Sequence, residues 1–187
     1  MNEFSIICRI LGSLYNRQPQ DPLLVPLFTL LREGKLQQQW PLEQDELLTR
    51  LQQNSDPQAL AADYNALFVG SDCKVPQEGS RWENGPQESA VRAFLQSRGM
   101  PLSEAPADRF GSLLLAASWL EDQSQEDEVQ AQIALFDDFL LPWCGQFLGK
   151  VEAWADTPFY RTLAALSREA IQAMRDELAE EGEEGEG

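Results

Sequence analysis

Two stretches of the 187-residue chain hold side chains suited to recognition. Asp63-Tyr64-Asn65-Ala66-Leu67-Phe68-Val69-Gly70, followed later by Trp82, sets aromatic groups beside a long loop. Tyrosine and tryptophan join apolar area to a polar handle, which favours them at binding surfaces. The same helical stripe also suits plain core packing, above all for Leu67 and Phe68. The second stretch is Glu104-Ala105-Pro106-Ala107-Asp108-Arg109. Proline at the first helical position and an acid in the first turn make a good helix start without further purpose. The alternative is a contact in which Asp108 accepts bonds from a basic peptide and Arg109 orients it.

Catalytic chemistry finds less support. The chain has no histidine, which removes the commonest general base and metal ligand and every Ser-His or Cys-His pair. Cys8, Cys73 and Cys144 are scattered and form no C-x-x-C pair, so neither a zinc cluster nor a disulfide framework is expected. They read as idle thiols in a reducing compartment. Lys35, Lys74 and Lys150 are the only lysines, and none follows a glycine-rich phosphate loop. The acidic run Glu121, Asp122, Glu126, Asp127 and Glu128 lacks the central glycine and alternation of a calcium loop and reads as a solvated turn. An enzyme working through carboxylates such as Glu104 and Asp108 is the weakest reading. No catalytic residue, metal site or cofactor is expected.

The elements that must position these groups are helices. Leucine and alanine number 46, whereas valine, isoleucine and threonine together number 15, a balance that favours helix over strand. Phe4, Ile7, Ile10, Leu11 and Leu14 mark one face of a first helix. Asp21-Pro22, Asp56-Pro57 and Thr157-Pro158 read as caps followed by proline, and Gly34, Gly70 and Gly99 as stops. Further helices follow Trp40-Pro41 through Leu47, Leu48 and Leu51, open near Pro86 and Pro106, and run from Val129 to Leu140. Pro142 breaks the chain or starts the next helix, which carries Trp143, Phe147, Val151 and Trp154. The expectation is an all-α single domain of about nine helices over residues 1–179. Gly70 to Gly85 is long for a loop, a length often linked to function. Residues 180–187 are Glu and Gly alone and read as a disordered acidic tail.

Charge narrows the partners. The net charge is −17; seven acids lie from Asp176 onward, and removing them leaves −10 for the rest. Such a surface repels phosphate backbones and anionic lipid, so neither nucleic acid nor membrane is an expected partner. A basic partner is favoured. No apolar run approaches a membrane span, and Met1-Asn2-Glu3 lacks a signal-peptide layout, which together point to the cytoplasm.

The order of features resembles the TorD/DmsD/NarJ family of redox-enzyme maturation chaperones, most closely its YcdY branch. Leu11-Gly12-Ser13-Leu14-Tyr15, Asp63 to Gly70, Val75-Pro76, Pro106 to Arg109, Leu140-Leu141-Pro142-Trp143-Cys144 and Phe147 carry the match. The resemblance implies a TorD-like helical chaperone, monomeric or a domain-swapped dimer, that binds an immature metalloenzyme while metal or cofactor is inserted. It implies a groove of Tyr15, Tyr64, Leu67, Phe68, Pro76, Pro106, Asp108 and Arg109, beside which Trp82 stands as a further partner-binding candidate. The family's Pro-x-Asp-His motif reads Pro106-Ala107-Asp108-Arg109 here, putting a permanent positive charge where a basic leader peptide would lie. The branch implies a cytoplasmic zinc-dependent hydrolase of the PHP type as client. A twin-arginine leader-binding chaperone of an exported molybdoenzyme is one alternative. A helical adaptor regulating a finished enzyme is the other.

Overall fold

The computed structural model describes residues 3–40, 42–70, 72–102, 104, 106–123 and 128–186. It is all-α: among those residues there is no strand, only an isolated bridge between Glu78 and Arg109. In chain order the helices are α1 (Glu3–Asn16), α2 (Val25–Arg32), α3 (Lys35–Gln39), α4 (Asp45–Gln53) and α5 (Pro57–Phe68). They continue as α6 (Glu88–Ser97), α7 (Phe110–Gln123), α8 (Glu128–Ala134), α9 (Leu141–Trp154) and α10 (Pro158–Glu186). A π-helical turn, Leu135–Leu140, joins α8 to α9 without a loop.

Helix starts follow the local chemistry. Asp21 Oδ1 accepts from the Leu23 N–H at 2.9 Å, and Asp56 Oδ1 from the Gln58 N–H at 3.1 Å, each with proline next in sequence. Each cap satisfies an amide that a helix N-terminus leaves without a partner. Gly70 and Gly99 follow helix ends with φ of 87° and 85°, backbone that other residues adopt only under strain.

Several elements differ in detail from the sequence pattern. Pro142 starts the next helix, in the first turn of α9, but no loop precedes it. A proline lacks the N–H for a helical bond and crowds the carbonyl four residues back. The chain absorbs this by widening to π-helix just before it, where the Leu141 N–H bonds to the Phe136 carbonyl. The helix expected near Pro106 begins at Phe110, because residues 108–110 pair instead with the 77–79 segment. Gly79 N–H donates to the Asp108 carbonyl at 2.8 Å, and Phe110 N–H to the Gln77 carbonyl at 2.9 Å. The helix expected at Pro86 begins at Glu88. Helix α3 was not foreseen, since its KLQQQ sequence carries one apolar residue, Leu36, and no periodicity.

Helix α1 packs along α7, while α10 lies on α9, α4 and α8. The core between them is aromatic. Tyr15 stands edge-on to Phe110 with ring centroids 4.8 Å apart, and Phe110 lies 4.7 Å from Phe147. Trp143 adds an edge contact to Phe147 at 5.5 Å. The α1–α7 crossing needs small residues: a Cβ at Gly12 would stand 2.8 Å from the Gly111 carbonyl oxygen.

Part of the acidic run, residues 124–127, lies outside the described residues. Asp122 of that run holds Arg9 at 2.7 Å and the buried Ser5 hydroxyl at 2.8 Å. The tail expected to be disordered falls at the end of α10, whose backbone is helical through Glu186; its side chains from 181 on are outside the described residues. No described helix is long and apolar enough to cross a membrane.

Candidate functional site

The last turn of α1 leaves carbonyls without helical partners, as every helix end does. The Tyr15 carbonyl is one of them, and two buried side chains meet it. The Tyr64 hydroxyl from α5 donates to it at 2.7 Å, and the Gln77 amide at 2.6 Å. Gln77 in turn takes the first amides of α7: its carbonyl accepts from Phe110, and its Oε1 from the Gly111 N–H at 3.4 Å. One loop residue thus ties the end of α1 to the start of α7.

The loop is fixed at both sides of Gln77. Lys74 and Val75 donate backbone bonds to the carbonyls of Ala66 and Leu67 in α5. Beyond, Asp108 Oδ2 accepts from the Ser80 N–H at 2.8 Å and holds the short 3-10 turn Gly79–Arg81. The Trp82 indole N–H donates to the Pro76 carbonyl at 2.9 Å while its ring packs 6.3 Å from Trp143.

Between these ties an open cleft of about 430 Å³ remains, lined by Asn16 at the end of α1 and Gln18 after it, Tyr64 and Phe68 of α5, Val69 and Gly70 just beyond, Glu78, Arg81 and Arg109. Phe68 and Val69 form its apolar wall, and Val69 is 47% exposed. Burial pushes the Tyr64 phenol above its ordinary value, and the Arg109 guanidinium beside it acts in the opposite sense. Tyr64 therefore stays neutral and donates.

Of the residues singled out in sequence, Tyr64, Phe68 and Arg109 come together on this cleft. Tyr15 and Leu67 are fully buried behind it, Tyr15 with its hydroxyl 3.0 Å from the Ser167 hydroxyl. Pro76 and Trp82 brace the loop. Asp108 is 0% exposed and offers the cleft no oxygen. Pro106 is exposed on a neighbouring pocket with Leu95, Met100 and Leu102, which shares Asn16 with the cleft. Sequence reasoning missed Gln77, Glu78, Arg81, Asn16 and Gln18. Nothing in their local pattern marks them, because the fold alone brings them together. It also passed over Asp63, though it stood in a quoted motif.

Asp63 is 4% exposed and accepts three bonds: from the Asp156 N–H at 3.1 Å, the Thr157 N–H at 2.9 Å and the Thr157 hydroxyl at 2.6 Å. It pins the α9–α10 turn to the helix that carries Tyr64 and Phe68. Cys8 and Cys144 are buried and Cys73 half-buried, all three free. Burial raises the Cys144 thiol to about 11 and pushes Cys8 up further, so both are neutral thiols. Among the described residues no group of three or more Cys, Asp or Glu side chains is arranged to hold a metal ion.

Helices alone, a buried aromatic centre and a cleft beside the α1–α7 crossing define a TorD-like all-α domain. The sequence profile described as nitrate reductase delta subunit matches residues 33–149, and the chain belongs to that family, the TorD/NarJ family. It is 68% identical to the chaperone protein YcdY of Escherichia coli K12 over 98% of this chain and 100% of that one. An uncharacterised protein of Haemophilus influenzae is 41% identical over 97% of each chain. The Tat proofreading chaperone DmsD of Salmonella typhimurium is 28% identical over 95% of this chain and 91% of its own.

Proposed function

We propose that the protein is a cytoplasmic chaperone that holds an immature metalloenzyme while its metal or cofactor is inserted, without turnover of its own. The observation that carries this is the open cleft, where Tyr64, Phe68 and Val69 give apolar area beside Arg109, Arg81 and Glu78. An exposed valine over buried aromatic rings, edged by charged side chains, suits a segment of another protein. The chaperone names of the relatives support the same reading. The client is a zinc-dependent hydrolase of the PHP type.

The test is to add the full chain to a zinc-depleted PHP-type hydrolase together with zinc, and to a fully loaded sample in parallel. Activation of the depleted sample alone is the expected result. Equal activation of the loaded enzyme would replace the chaperone with an adaptor. Val69→Asp, on the exposed wall, should abolish activation while unfolding free energy stays within about 0.5 kcal/mol. Tyr64 and Asp108 are poor probes here, because both are buried and brace the loop.

A second reading, binding of twin-arginine leaders, is favoured by the similarity to a Tat proofreading chaperone. Arg109 on the cleft counts against it, since a basic leader would bring like charge to a guanidinium. Co-elution of precursors with uncleaved leaders from a tagged chain would revive it.

A further inference from the structure

The whole molecule carries −17, yet the cleft has the opposite local balance. Among the described residues its charged lining is Arg109, Arg81 and Glu78. Arg81 and Glu78 pair with each other at 3.9 Å. Arg109 meets no carboxylate among the described residues: its guanidinium lies against the Tyr64 hydroxyl, and its Nε is buried with no acceptor. The adjacent Asp108 makes no ion pair with it: Oδ2 accepts from the Ser80 N–H, Oδ1 is buried without a partner, and the residue is absent from the lining.

An unpaired guanidinium at a half-buried position leaves donors that water reaches poorly, at a cost a bound acceptor would remove. Its planar fork matches a carboxylate, which can take two parallel N–H bonds. Val69 beside it, 47% exposed, offers apolar surface to a side chain flanking that carboxylate. We infer that the cleft takes an acidic segment of the client, a carboxylate flanked by a large apolar side chain, rather than a basic one. The inference rests on the client-binding reading and names the chemistry of the segment bound.

The test uses the full chain labelled with nitrogen-15 and three peptides at millimolar concentration: acetyl-Leu-Glu-Leu-amide and its Gln and Lys counterparts. The Glu peptide should shift the backbone amides of Val69, Gly70 and Arg81 and the Arg109 Nε–H. It should bind at least about 5-fold tighter than the Gln peptide, with the Lys peptide weakest. In Arg109→Leu the Glu preference should vanish while the spectrum stays dispersed. Should that variant misfold, Arg81→Leu reads the same cleft and should narrow the preference. Acetyl-Leu-Leu as free acid distinguishes the source: tighter, Arg109-dependent binding than the Glu peptide assigns the site to a chain terminus. Equal binding of the Gln or Lys peptide, no shift with the Glu peptide, or a preference that survives Arg109→Leu would overturn the inference. Activation of the zinc-depleted hydrolase is read separately, so it can persist while the carboxylate preference fails.

Discussion

Asp63 joins parts of the chain more than 90 residues apart. Its carboxylate takes three donors from the α9–α10 turn while sitting next to Tyr64, so it links the start of the longest helix to the wall of the cleft. Bonds to a charged acceptor contribute more than neutral ones, and removing the acceptor strands buried donors. Asp63→Ala should therefore cost about 3 kcal/mol in urea unfolding, and Asp63→Asn visibly less, since an amide oxygen still accepts. Equal losses for both would mean that space, not hydrogen bonding, governs the site. The contrast with Asp108 is instructive. Sequence reasoning gave that residue an outward task, accepting bonds from a peptide. The fold turns it inward to hold Ser80, and leaves the neighbouring Arg109 on the cleft. A short motif marks residues that matter without telling which way each side chain points.

At the scale of elements, the α1–α7 crossing sets the cleft, because α1 ends at Asn16 and α7 begins just after Arg109. Gly12 and Gly111 let the two backbones approach. Gly12→Ala would put a methyl 2.8 Å from the Gly111 oxygen and 2.8 Å from Leu115 Cγ. Forcing the helices apart costs about 1–3 kcal/mol, partly offset by about 1 kcal/mol of helix propensity gained. A net loss of stability is expected, together with weaker client activation, since the shift reaches Asn16 one turn on. A variant that melts higher and activates normally would show the crossing to be slack. Most helices were legible because their signals are local: Asp-Pro starts, glycine stops and apolar residues at steps of three and four. Helix α3 and the π-turn were not. The first has almost no apolar pattern, and the second answers a steric problem whose solution sequence does not specify. The cleft was half legible for a related reason. Tyr64, Phe68 and Arg109 sit in recognisable stretches, whereas Glu78 and Arg81 reach it through the loop ties of Gln77 and Asp108, and Gln18 through its bond to Asn65.

For the molecule as a whole, the buried titrating groups predict where folding fails. All three tyrosines are almost wholly buried: Tyr15 at 0%, Tyr64 at 2% and Tyr160 at 1% exposure. Burial raises each of them above the ordinary 10.0, and it raises the Cys8 and Cys144 thiols above 9.0. Below pH 9 these groups are protonated in both states, so their contribution is fully present. As pH climbs, the unfolded chain loses protons first, from the two thiols near 9 and then from the phenols near 10, while the folded chain keeps them. The unfolded state then binds fewer protons, and stability falls with pH by about 1.4 kcal/mol per group per unit. Acting together, these groups erode the folding free energy progressively as pH rises above 9. Absorbance at 295 nm should accordingly stay flat past pH 10, then rise in one cooperative step that coincides with loss of helical circular dichroism. Phenols reaching water in the folded state would instead titrate gradually from near pH 10 with helicity intact. Tyr64 would be the first suspect, because it alone of the three borders the cleft. A gradual phase confined to one phenol and abolished by Tyr64→Phe would then mean that the cleft opens to solvent more deeply than its buried wall implies. That opening would loosen the Tyr15 tie on which the whole site is hung.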